Sequence, residues 1–123
     1  MMKLVLASLS IVLGATACSD PAPPPLPPVW SATYDVPFDA MVNCLAAKGD
    51  ATFAVSRPEY FQEGVMQISF TPAKTPQAGS TYTIRRAGGG RTVVNWRRPG
   101  NVGNLDWLDN EARSRADRCA ANA

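Results

Sequence analysis

The chain contains no histidine. Without imidazole there is no Ser-His or Cys-His nucleophile pair and no histidine-ligated metal centre, which removes most familiar hydrolases and zinc sites. Long apolar stretches are also missing. The longest, Leu4 to Leu13, is about half of what a helix needs to cross a bilayer, so no permanent transmembrane anchor is expected. Cysteine is scarce and odd in number, three in 123 residues, so one thiol needs a fate different from the other two. Net charge is small, +2 from 12 bases and 10 acids, and the length suits one domain.

What is present begins with an export signal. A short positive end with Lys3 precedes the apolar run, and the small residues Gly14-Ala15-Thr16-Ala17 lead into Cys18. Residues 1–17 are therefore read as a secretory signal peptide. Cleavage after Ala17 by an ordinary signal peptidase would release a soluble periplasmic protein. The same residues also resemble the signal of bacterial lipoproteins, with Ala15 where Leu is usual, two small residues, and then the cysteine. That resemblance, over residues 1–18, implies that Cys18 is lipidated and becomes the mature amino terminus. Among Gram-negative lipoproteins, Ser rather than Asp directly after the cysteine implies sorting to the outer membrane, and Ser19 occupies that place. The protein would then be anchored in the outer membrane, facing the periplasm.

Two features agree with lipidation. Using Cys18 leaves Cys44 and Cys119 as an even pair in an oxidising compartment. Residues 18–28 form a tether: Ser19 to Pro28 holds six prolines in ten positions and would extend at about 3.1 Å per residue, holding a domain roughly 30 Å from a membrane.

Residues 29–123 are expected to form a single α+β domain: a small antiparallel sheet of four to five strands with two helices on one face, in the order β-α-β-β-β-β-α. Val29 to Val36 alternates as a strand, and Pro37 suits a first helical position. Phe38, Met41, Val42 and Leu45 follow the i, i+3, i+4, i+7 spacing of an amphipathic helix running to Lys48, with Gly49 as its stop. Ala51 to Ser56 and Val65 to Phe70 read as strands bounded by Pro58 and Pro72. Thr81 to Arg98 reads as a hairpin turning at Gly88-Gly89-Gly90. Pairing Arg85 with Val93 sets Tyr82 opposite Trp96 and Ile84 opposite Val94 on one face, and these four are the expected core. Leu105 to Ala121 is the second helix, with Asn104 as its cap and Leu105, Leu108, Ala112, Ala116 and Cys119 along its apolar stripe. Cys44 and Cys119 then both point toward the sheet, and a disulfide between them would pin the two helices together.

Charge is unevenly distributed. Residues 29–80 carry three bases and five acids and residues 99–123 carry three and four, whereas residues 81–98 carry five arginines and no acid. The hairpin register points Arg85 and Arg97 away from the core, puts Arg91 at the tip, and leaves Arg86 and Arg98 at the ends of the inward face. Guanidinium groups hold carboxylate or phosphate in bidentate fashion, so Arg85, Arg91 and Arg97 are the candidate contacts for an envelope protein, lipid phosphate or lipopolysaccharide. Compartment argues against nucleic acid. Asp35 with Asp39, and Asp106 with Asp109, are conceivable carboxylate pairs for glycoside cleavage, but each acid sits where a helix start favours negative charge. The expectation is a non-enzymatic protein with no cofactor and no metal. The layout of signal, cysteine, proline tether and small disulfide-linked domain resembles small proteobacterial envelope lipoproteins. A second reading is an inhibitor or immunity-type lipoprotein acting on a lysozyme-like or toxin enzyme.

Overall fold

The computed structural model describes residues 27–47, 51–100 and 103–123. Residues 1–17, read above as a signal peptide, Cys18, nearly all of the proline-rich stretch read as a tether, and Gly49 lie outside the described residues. No described helix is long and apolar enough to cross a membrane.

Among the described residues ten elements follow one another: β1 (Trp30–Tyr34), α1 (Phe38–Leu45), β2 (Phe53–Val55), β3 (Glu59–Gln62), β4 (Val65–Pro72), a 3-10 turn (Pro76–Ala78), β5 (Ser80–Ala87), a glycine turn (Gly88–Gly90), β6 (Arg91–Arg97) and α2 (Asp106–Ala121). The strands form a six-stranded antiparallel sheet in the order β1-β6-β5-β4-β2, with β3 also pairing β4. The architecture is the expected α+β arrangement with one more strand than the four to five anticipated. The added strand is β3, whose four residues are all exposed and so lack the alternation that burial imposes.

β2 and β3 share one edge of β4. β3 lies along its first half, with Tyr60 opposite Met66, and β2 along its second, with Val55 opposite Phe70. Between them Ser56 closes the gap: its N–H donates to the Ser69 carbonyl at 2.9 Å and its Oγ accepts from the Ser69 N–H at 2.8 Å.

The β5–β6 hairpin has the expected register, with Tyr82 opposite Trp96, Ile84 opposite Val94 and Arg85 opposite Val93. Gly89 and Gly90 turn the chain at φ 77° and 73°, a region costly for any residue with a Cβ. Tyr82, Ile84, Val94 and Trp96 are fully buried. Neighbouring strands each contribute rings to this inner face. Trp30 stacks near Trp96 at 6.4 Å, Trp96 meets Tyr82 at 4.7 Å and Phe70 at 6.0 Å, and Phe70 stacks on Phe53 at 4.4 Å. Such pairs stabilise by about 0.5–1.5 kcal/mol each beyond the area they bury.

Both helices cover that face. α1 buries Phe38, Met41, Val42 and Leu45, and α2 buries Leu108, Asp109, Ala112, Ala116 and Cys119. The small Ala112 lets α2 come close enough for the Tyr82 hydroxyl to donate to its carbonyl at 2.8 Å. Cys44 and Cys119 are bonded, with Cα atoms 5.7 Å apart, and join the two helices across 75 residues of sequence.

Two helix starts differ from expectation. Pro37 precedes α1 rather than opening it: its φ/ψ are extended and its carbonyl accepts the Met41 N–H at 3.1 Å. Asn104 does not cap α2. It takes a left-handed φ of 58°, and Leu105 is the boundary residue, its carbonyl accepting from Leu108 and Asp109 at 3.0 Å each.

Candidate functional site

Since α1 and α2 occupy one face of the sheet, strand alternation sends the other half of each strand to the opposite face. Three rows cross β4, β5 and β6 there in register: Val65–Arg85–Val93, Gln67–Thr83–Asn95 and Ser69–Thr81–Arg97. An open groove of about 790 Å³ runs over this grid, bounded by Phe61 and Gln62 of β3 at one side and by Arg98 and Pro99 at the other. Its volume falls within the range of ~300–1,000 Å³ usual for small-ligand clefts. Among the described residues no acidic side chain lines it, whereas Arg85, Arg97 and Arg98 do.

The five hairpin arginines thus divide by place. Arg85 and Arg97 sit in the groove, as their outward parity anticipated. Arg91 stays at the hairpin tip, its Nε donating to the Gly88 carbonyl at 3.1 Å, and does not line the groove. The expected trio is therefore a pair plus an outlier. Arg86 lies 4.2 Å over the Phe38 ring and 3.8 Å from Asp39, tying the hairpin end to α1. Arg98 works on both sides of the sheet end: it borders the groove while its Nε lies 3.2 Å from Asp109 Oδ1.

Asp109 is the polar residue on which this corner depends. It is only 8% exposed, and the same Oδ1 accepts the Trp96 indole N–H at 2.8 Å. Its backbone carbonyl also accepts the Trp30 indole N–H at 3.2 Å. A buried carboxylate is costly to desolvate unless it is paired and hydrogen-bonded, and here two donors meet it. The result clamps the start of α2 to the end of β6 and holds Arg98 at the groove's margin.

The four aspartates considered for glycoside chemistry do not converge on the groove. Asp39 is exposed beside Arg86, Asp109 is committed to Trp96 and Arg98, and Asp35 and Asp106 are exposed away from the groove lining. The tyrosines on the helix side are held protonated. Burial, then the hydrogen bond to Asp117 at 2.7 Å, raises Tyr34 well above the ordinary phenol range, and burial does the same for Tyr82.

Sequence parity alone would have found most of the groove, because Thr81, Thr83 and Asn95 alternate with the residues read as core. Phe61 was missed together with β3. Both Tyr60 and Phe61 are large and strongly exposed, at 71% and 67%. No family model matches the chain, and no curated protein matches it.

Proposed function

We propose that the protein is a non-enzymatic outer-membrane lipoprotein whose domain binds an acidic partner in the periplasm through the helix-free face of its sheet. The observation that carries the binding reading is the groove: Arg85, Arg97 and Arg98 border one concavity that has no carboxylate among its described lining residues. Guanidinium groups bordering a concavity with no acidic residue among its described lining favour an anionic ligand, even with Arg98 also held by Asp109. The anchoring reading rests on residues 1–18 and on the proline tether. The Cys44–Cys119 bond supports it, since such bonds persist in oxidising compartments.

Processing and fractionation test the anchor. With Cys18 intact, globomycin should cause an unprocessed precursor to accumulate, and the mature form should sediment with outer membranes. Cys18→Ala should abolish both behaviours. An unchanged size and membrane partition in Cys18→Ala would rule out lipidation at this residue and leave a soluble periplasmic protein.

A further inference from the structure

The groove's chemistry narrows the anion, given the acidic-partner reading above. We propose that it binds a carboxylate-bearing glycan strand, with Arg85 and Arg97 holding acid groups, Gln67, Thr83 and Asn95 bonding sugar hydroxyls, and Phe61 packing on a sugar ring.

Three observations lead there. First, Arg85 and Arg97 lie on opposite outer rows of the grid, and over β4, β5 and β6 the row between them is neutral and polar, Gln67, Thr83 and Asn95, with Glu59 of β3 beyond Gln67 at its edge. Since Arg97 is paired with Thr81, the two arginine rows are four strand residues apart, roughly 13 Å, which leaves room for a short oligosaccharide between two acid contacts. Amides and hydroxyls both donate and accept, which matches sugar hydroxyls, whereas a phosphate offers acceptors only.

Second, the groove lies on the face of β4, β5 and β6, each of which is flanked on both sides by paired strands. Main-chain groups there are already used in the sheet, so an acidic peptide would not find the unpaired strand edge through which extended peptides are usually held. Third, Phe61 stands exposed on β3 at the groove's rim. An aromatic ring beside planar polar side chains suits the mixed apolar and hydroxylated faces of a sugar, and a concave site suits a chain better than a flat lipid surface.

The test uses the purified full-length chain in detergent micelles. Calorimetric titrations would compare a galacturonate oligomer, a neutral glucose oligomer of equal length, poly-L-glutamate, inorganic phosphate and phosphatidylglycerol vesicles. The galacturonate oligomer should bind, with the neutral oligomer and poly-L-glutamate each weaker by on the order of tenfold. Arg85→Ser/Arg97→Ser should weaken galacturonate binding by at least about tenfold, and Phe61→Ala by severalfold. All three positions are on the open face, and the thermal midpoint of each variant serves as the folding control. If poly-L-glutamate, phosphate or vesicles bind as tightly as the acidic glycan and Phe61→Ala changes nothing, the glycan assignment fails while anion binding stands. If no anion binds the wild-type chain, both readings fall.

Discussion

Reducing the Cys44–Cys119 bond is expected to remove a large part of this domain's stability. The bond closes a loop of 75 residues, and the chain-entropy relation for a loop of that length gives about 4.5 kcal/mol at 25 °C. Domains of this size have only about 5–15 kcal/mol in total, so the reduced form should stand near the margin of folding. For roughly 95 residues the corresponding fall in melting temperature is on the order of 20–35 °C. Urea unfolding followed by tryptophan fluorescence is a direct assay, because Trp96 is fully buried. Oxidised and reduced wild type should be compared rather than alanine variants, since Cys119 is buried and removing its sulfur would add a packing loss of its own. The reduced protein should also show a steeper denaturant dependence, because an uncrosslinked unfolded chain exposes more surface. A difference below about 1 kcal/mol between the two forms would refute the reasoning, as it would mean that the crosslink hardly constrains the unfolded chain.

Other perturbations have expected signs and sizes. Asp109→Ala should destabilise by about 2–3 kcal/mol by leaving the buried Trp96 N–H without its acceptor, and a double-mutant cycle with Arg98→Ala should show coupling of about 0.5–3 kcal/mol. Zero coupling in chemical denaturation would mean that the ion pair does not form in solution. Tyr82→Phe should cost about 1 kcal/mol at neutral pH through loss of the bond to the Ala112 carbonyl. Tyr34 and Tyr82 are both raised above the ordinary value of 10.0, so their contribution is intact below pH 10 and declines as pH climbs past it toward their folded values. A pH series of unfolding free energies should therefore drop at the alkaline end, less steeply in Tyr34→Phe/Tyr82→Phe; an identical slope in that variant would contradict the assignment.

How much of this was legible beforehand depended on whether burial wrote a pattern into the residues. The hairpin register follows from alternation alone, because a one-residue slip would send Tyr82 and Ile84 to one face and Val94 and Trp96 to the other. Both helix stripes were readable for the same reason, and with them the inward placement of Cys44 and Cys119. β3 was not readable: Glu59, Tyr60, Phe61 and Gln62 are all exposed, so neither face of the strand leaves a hydrophobic trace. The role of Asp109 was also hidden. As an acid in a first helical turn it has a sufficient local explanation in the helix dipole. Its position four residues after Leu105 and one after Leu108 does place it on the buried stripe, and that conflict between polarity and phase was the available signal. Arg85 and Arg97 could be assigned to the outward face, but that Arg91 stands outside the groove depends on how far the hairpin tip extends beyond it.

The central claim, that the helix-free face of the sheet is the binding surface, is tested most directly by a charge-matched comparison. Arg85→Ser/Arg97→Ser and Arg113→Ser/Arg118→Ser each remove two positive charges, the first pair from the groove and the second from α2. Binding of a galacturonate oligomer to the full-length chain should fall by at least about tenfold in the groove pair and remain within about twofold of wild type in the helix pair. An equal loss in both would mean that net charge alone governs attraction, and no loss in the groove pair would contradict the assignment of this face.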